Sequence, residues 1–401
     1  MPEPELASAE PRLSSRTLVL LASASGLIAA NIYYAQPLIG PISAALGVPP
    51  EAAGLIVTVT QVGYGAGLLL IAPIADLVEN RALVLVSIAL ATVGLLGAAV
   101  STAATPFLLC SLLIGLGSVA VQVLIPLAAH LAPAAIRGRV VGDVTTGLSL
   151  GIMLSRPVSS FIAAESSWRT VFFVAALGMA AIAGVLSIAL PERQPTTRLR
   201  YPALLSSMAR LALTTPVLRE RALYQACLFG AFSLFWTTVP LLLAGPFHLT
   251  QKGIALFALA GVSGAFAAPI GGRIADRGYS GAATGLAIIA VAVAFPIANL
   301  APMGSPLALG LLVGAAILID FGSQANLVLG FRAIFTLGAE ARGRLNSLYI
   351  ASFFCAGAVG SALGAWAYEH GGWRLASGFG LAFPLIALTA FAVNARDAKR
   401  V

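Results

Sequence analysis

The chain has 401 residues, 59% of them hydrophobic and 9% charged, with a mean hydropathy of +0.95 and a formal net charge of +8. So little charge in so much apolar sequence excludes a soluble globular domain and a disordered chain, and the absence of a basic stripe with interleaved aromatics argues against nucleic-acid binding. The 41 glycines are spread through apolar runs and not gathered in linkers, so the expected class is an all-α membrane protein.

A hydrocarbon core about 30 Å thick takes roughly 20 apolar residues per helix, and the sequence offers twelve runs of that kind. Residues 1–16 are expected to be a cytoplasmic tail: Glu3, Glu5 and Glu10 stand among prolines with no basic start before an apolar stretch, so no cleavable signal is read there. The first six spans are predicted at 17–42, 51–75, 82–101, 105–131, 140–164 and 169–190, making a bundle over 17–190. A cytoplasmic linker over 191–220 follows. Pro191, Pro195 and Pro202 break it, and Leu204, Leu205, Met208 and Leu211 then recur at helical spacing, which predicts a short helix on the inner membrane surface with Arg198, Arg200 and Arg210 at headgroup level. Spans seven to twelve are predicted at 221–245, 252–275, 281–301, 306–333, 344–368 and 373–394, a second bundle over 221–394, with 395–401 as a cytoplasmic tail.

Basic residues resist translocation and collect in cytoplasmic loops. With the amino terminus inside, all of the 23 Lys and Arg fall on cytoplasmic segments except Arg169, Lys252 and Arg374 outside and Arg156 within a span. The positive charge is thus topological, an attraction to anionic lipid. Both termini are placed inside, in the cytoplasmic membrane.

The chain also repeats itself. Arg137, Gly138 and Arg139 precede Trp168 and Arg169 at the same spacing at which Arg342, Gly343 and Arg344 precede Trp373 and Arg374. A duplicated half-chain of membrane helices is a common plan for secondary transporters.

These features resemble the major facilitator superfamily, over essentially the whole chain. The loop after span eight, Gly272, Arg273, Ile274, Ala275, Asp276, Arg277 and Gly278, matches the family's Gly-x-x-x-Asp-Arg-x-Gly motif well, its last glycine standing one place early; the copy after span two keeps Asp76 and Arg81 and loses the glycines. The resemblance implies two pseudo-symmetric six-helix bundles, with Asp76, Arg81, Arg137, Arg139, Gly272, Asp276, Arg277, Arg342 and Arg344 as a conformational gate. Physically, an Asp at a helix end with Arg nearby can cap backbone N–H groups and pair across bundles in one domain arrangement only; a solvated loop charge is the plainer alternative. Within the superfamily, Asn31-Ile-Tyr-Tyr34-Ala-Gln36-Pro37, the Asp320-Phe-Gly-Ser-Gln324-Ala-Asn326 run and Arg344-Leu-Asn346 look like bacterial twelve-helix exporters of the drug, sugar and nucleoside type. Two positions depart from the drug/proton antiporter pattern: Ser111 stands where that branch has an arginine in span four, and of its span-five Gly-Pro-x-x-Gly-Gly only Pro157 survives, after Arg156.

Charge at the bilayer centre costs on the order of 3 kcal/mol on insertion scales, so intramembrane polar groups mark the candidate site. Asp320 is the carboxylate set deep in a span, with Gln324 at i+4 on the same face. Ionising a carboxylate there is costly, the property a proton-coupling group needs; a structural buried acid is the alternative. Arg156 stands before Pro157, which frees a carbonyl. Either it neutralises an anionic cargo or pairs with Asp320 in one state, or it snorkels to the outer headgroups or binds freed carbonyls. Asn31, Tyr34, Gln61, Tyr64, Gln122, Trp236, Gln324 and Asn326 complete the candidate cargo site, with interhelical hydrogen bonding as the other use of such groups. Gln122 and Gln324 stand near the repeat offset from each other, as partners on opposite walls.

Cys110, Cys227 and Cys355 lie in separate spans and read as unpaired packing residues, with no metal cluster. Gly138 and Gly142, Gly147 and Gly151, and Gly360 and Gly364 read as close helix contacts. Gly147-Leu-Ser149-Leu-Gly151 matches the hydrolase elbow formally but lies mid-span without the strand that motif needs, and no Gly-Lys-Ser phosphate loop supplies ATP. The expectation is a non-enzymatic, monomeric transporter in a bacterial inner membrane that needs no cofactor and exports a small organic compound against protons. Proton-linked or passive uptake of an organic anion is the alternative, and a non-transporting sensor or membrane enzyme a remote one.

Overall fold

The computed structural model describes residues 15–133, 136–195, 200–338 and 341–397; most of the expected amino-terminal tail, Arg198 of the linker, and Lys399 and Arg400 of the other tail lie outside the described residues. Among the described residues all regular structure is helical.

Several predicted spans are built from more than one helix. Span one comprises α1 (Ser15–Ala30), a turn, a 3₁₀ turn at Gln36–Leu38 and α2 (Ile39–Leu46). Pro37 brings no N–H to the ladder, and Ile32 and Tyr33 donate instead to Ala29 and Ala30, so the chain tightens there. α2 stops at Gly47, whose φ of 65° suits glycine. Span two is α3 (Leu55–Leu70) between 3₁₀ turns at Pro50–Ala52 and Ala72–Asp76, and span three is α4 (Asn80–Val100). Span four divides into α5 (Ala104–Gly117) and α6 (Ala120–Leu131), and spans five and six are α7 (Arg137–Glu165) and α8 (Trp168–Ala189).

The linker forms α9 (Tyr201–Thr214). Its Leu204 and Met208 are buried against protein, and Tyr201 donates to the Leu70 carbonyl at 2.8 Å, so the apolar stripe read as lipid-facing packs largely on the bundle. Span seven is α10 (Pro216–Ala244); span eight is α11 (Gln251–Ala258), a 3₁₀ stretch at Leu259–Phe266 and α12 (Ala267–Asp276). α13 (Ser280–Ile297) and α14 (Pro306–Phe335) are spans nine and ten. α15 (Arg342–Asp397) holds spans eleven and twelve, parted by non-helical Gly371 and Gly372. Ten described helices or helix runs are long and apolar enough to cross a membrane. Counting α15 as two and the broken α1–α2 as one gives the twelve spans expected from the sequence.

Within each half the helices pair closely: α1 on α7, α3 on α5, α10 on α15 and α13 on α14. Close approach explains two of the three glycine pairs. A methyl at Gly147 or Gly151 would fall on the backbone of Ala22 or Gly26 in α1, and one at Gly360 on Gly230 in α10. Gly138 and Gly142 differ from expectation: a methyl on either meets nothing within 4 Å, because they sit on the first turns of α7 beyond its crossing with α1. The three cysteines are free.

The loop between spans two and three is fixed by Glu79, which caps α4. Its carboxylate accepts from Arg81 N and Ala82 N at 2.6 Å each, and from Arg193 N at 3.1 Å. Burial pushes this carboxyl up, but the donors Arg193, Ala82 and Arg81 and the Arg81 charge outweigh it and hold it below its ordinary value. Glu79→Ala should cost about 1 kcal/mol, read as a lower thermal midpoint in detergent. Because the folded-state value is depressed, this contribution is complete above the unfolded carboxyl's titration and lost as pH falls through the folded one; the two midpoints should converge in acid.

Candidate functional site

Arg156 and Asp320 face each other across the two halves. The Arg156 Nη1 is 3.8 Å from Asp320 Oδ1, and the two residues are 1% and 3% exposed. That separation is too long for a hydrogen bond, so the attraction is Coulombic, in surroundings that screen it little. Asp320 Oδ2 accepts from Trp236 Nε1 at 2.8 Å, and Arg156 Nε donates to Gln36 Oε1 at 2.7 Å. The guanidinium carbon also lies 4.4 Å from the Trp236 ring centre, 4.8 Å from Phe232 and 5.3 Å from Tyr33, contacts worth about 0.5–2 kcal/mol each. Arg156 Nη2 and Gln36 Nε2 have no hydrogen-bond partner in the structure.

Local backbone choices put these groups together. Gln36 reaches Arg156 because span one leaves the α-helix before it. Gly261 lies in the 3₁₀ stretch of span eight, where a methyl would come within 3.0 Å of Trp236, 3.3 Å of Arg156 Nη1 and 3.3 Å of Asp320 Oδ1. A bare backbone there lets span eight close directly over the pair.

Below the pair lies a cavity of about 700 Å³. It opens at the arginine-rich end, since helix-terminal Asp76, Arg137, Arg342 and Arg344 border it. Its deeper wall is mainly aromatic and amide-bearing, and includes Tyr64, Gln122 and Gln324 of the sequence-derived set. Gln122 Nε2 donates to Tyr64 Oη at 2.9 Å, and Gln122 Oε1 accepts from Asn346 Nδ2 of the other half at 3.0 Å. Tyr33 and Phe232 line the cavity and rest on the guanidinium, so Arg156 and Asp320 sit one aromatic layer beyond its floor.

The remaining polar residues fall elsewhere. Tyr34 is outside the lining and Tyr33 takes that place, because the i+3 count from Asn31 fails where the helix breaks. Asn31 is buried with neither side-chain polar atom partnered. Gln61 donates to Ser233 across the halves at 2.9 Å, and Asn326 donates to Gln225 at 2.8 Å. Gln36, Gln225 and Asn346 also join the network and are not among the sequence-derived candidates; Gln225 carries the same signal as Gln61, a lone amide in an apolar run. Tyr33 carries the same signal as Tyr34 beside it, and Phe232 carries none, being apolar like its neighbours.

At the opposite end the halves are latched. Gln251 Nε2 donates to the Pro37 carbonyl at 3.0 Å and to Ser160 Oγ at 2.6 Å, and Lys252 Nζ meets Glu165 Oε1 at 2.6 Å. Ser361 Oγ donates to the Gly54 carbonyl at 3.2 Å. The Lys252–Glu165 pair is exposed, so it is worth about 0.2–1 kcal/mol. Lys252→Gln should therefore speed alkylation of a cysteine at Ser160 from that side by no more than about fivefold.

The expected gate residues pair within their own halves, bind the linker or stand in solvent, as fits an open arginine-rich end. Asp276 meets Arg332 at 2.6 Å, and the Gly272 carbonyl accepts from Arg332. Arg81 binds the Ser187 carbonyl and lies 3.9 Å from Glu192, while Arg139 lies 4.0 Å from Asp143. Arg342 donates to the Phe335 carbonyl and Arg344 to Ser207. Asp76 is exposed and, like Arg137 and Arg277, is in none of the ion pairs found among the described residues.

Residues 21–336 match the Major Facilitator Superfamily, and the chain belongs to it. Among similar proteins is the uncharacterized transporter YgaY of Escherichia coli O157:H7, 39% identical over 362 residues, which is 90% of this chain and 91% of that one. The probable transporter SCO4007 of Streptomyces coelicolor is 32% identical over 381 residues, 94% of this chain and 87% of that one. In three dimensions the chain resembles the inward-open xylose transporter XylE from E. coli, with a TM-score of 0.71 over 94% of each chain at 12% identity, a likeness of fold alone. The protein is a membrane transporter and not an enzyme.

Proposed function

We propose that this transporter exports a small, uncharged organic compound across a bacterial cytoplasmic membrane in exchange for protons, with both termini in the cytoplasm. It acts as a monomer and is driven by the proton gradient alone. The observation that carries the reading is the Arg156–Asp320 pair itself: two charges, one from each half, buried behind the floor of a cavity whose deep wall carries none. While Asp320 is ionised it holds Arg156 away from the cavity, and the site admits cargo. A proton on Asp320 removes the Coulombic hold; Arg156 is then free to move past Tyr33 and Phe232 and displace cargo. Proton and cargo thus exclude each other, which is exchange. Asn31, Gln61 and Asn326 would serve this site from behind, as interhelical bonds, and the paired loop residues would form the gate when the arginine-rich end closes.

A second reading, proton-linked uptake of an organic anion, is favoured by the partnerless Arg156 Nη2 and Gln36 Nε2, which an anionic group would complete. Such an anion takes Arg156 from Asp320 and leaves Asp320 to be protonated, so cargo and proton travel together. The two are separated in reconstituted vesicles with a compound taken from a growth screen of deletion and overexpression strains. Exchange predicts that proton and cargo fluxes run in opposite directions; fluxes in the same direction overturn it.

A further inference from the structure

We infer that the cavity recognises a flat aromatic compound bearing a neutral carboxamide-like edge, held by the Gln122 amide against a wall formed by Phe229, Phe232 and Phe354. The inference rests on the transport reading only in taking this cavity for the cargo site. Gln122 is the hub of the wall: one N–H is committed to Tyr64 and one lone pair to Asn346. An amide has two of each, so one donor and one acceptor are left for a ligand. The same two functions together are what a neutral amide or lactam edge presents in return. A carboxylate offers acceptors only, and an ammonium donors only.

The wall opposes charge and favours a flat body. Phe229 and Phe232 stack with centroids 5.2 Å apart and 17° between planes, Phe354 stands 4.9 Å from Phe229, and Tyr64 meets Phe354 at 4.6 Å. All four line the cavity. Aromatic faces gain from offset or edge contact with another ring beyond the area they bury, a gain a saturated ring of equal size does not obtain. Gln324 reaches the same space from the other half and makes no hydrogen bond among the described residues, which gives a second amide to a ligand with polar groups at both ends. The charged lining groups, Arg137, Arg193, Arg342, Arg344, His130 and Asp76, lie at helix ends or in loops around the mouth, and the Arg344 guanidinium donates to Ser207.

The test is calorimetric binding to the purified full chain in detergent, without any gradient, so a failure of proton coupling leaves this measurement untouched. The probes are 2-naphthamide, 2-naphthoate and decahydronaphthalene-2-carboxamide. The expected order has 2-naphthamide tighter than either other probe by about tenfold. Gln122→Glu keeps an acceptor for Tyr64 and Asn346 but loses the N–H, so its fold should stand while 2-naphthamide weakens by about tenfold; Gln122→Leu should do at least as much. Tightest binding by 2-naphthoate would overturn the proposal in favour of an acidic cargo at Arg156. Equal binding of the saturated amide, unchanged binding by Gln122→Glu, or no binding of any probe would also overturn it.

Discussion

Asp320→Asn should abolish accumulation of cargo against its gradient in reconstituted vesicles while leaving downhill flux. The amide still accepts from Trp236 and fills the same volume, so the site keeps its shape, but it no longer takes up and releases a proton. The change also leaves Arg156 buried without the carboxylate it pairs with among the described residues. Breaking a buried pair by removing one partner costs on the order of 3–5 kcal/mol, so the variant should be markedly less heat-stable in detergent. Arg156→Gln should be destabilised to a similar degree, and the Arg156→Gln/Asp320→Asn double variant should regain most of the loss, because neither charge is then stranded. Full gradient-driven accumulation by Asp320→Asn would remove its coupling role.

Gly151→Leu should prevent assembly of the amino-terminal bundle. A side chain at Gly151 would occupy the position of the Gly26 backbone, and Gly147 one turn away is equally pressed against Ala22. Backbone cannot turn aside as a flexible side chain can, so α1 and α7 must part. The expected loss is at least about 4 kcal/mol, in the range reserved for the worst overpacking, and would show as aggregation on size-exclusion chromatography. Gly142→Leu on the same helix is the control: Gly142 is exposed, a Cβ there meets nothing within 4 Å, and the variant should behave within about 0.5 kcal/mol of the parent.

The helical bundle was legible in the sequence because its signals are long. Apolar runs of membrane length, loop arginines and a repeated Arg-Gly-Arg to Trp-Arg spacing each extend over many residues, and no packing detail is needed to read them. The breaks inside spans one, four and eight were hidden, since a 3₁₀ stretch such as Leu259–Phe266 has the same apolar composition as the helix it interrupts. That is why Tyr34 was read toward the cavity and Tyr33 lines it: one break shifts every later face. Asp320 and Arg156 stood out singly as charges in oil. Their pairing is one of the alternatives the two charges allow, but which alternative holds, and Gln36 as the group that holds Arg156, depend on how the halves dock, which lies in no local pattern.

If Asp320 gains and loses a proton as the transporter works, infrared difference spectroscopy of the protein in lipid as pH is stepped should show it. A protonated-carboxyl band should grow as pH falls and be missing in Asp320→Asn. A band that persists unchanged in that variant, or no pH-dependent carboxyl band in the parent, would contradict it.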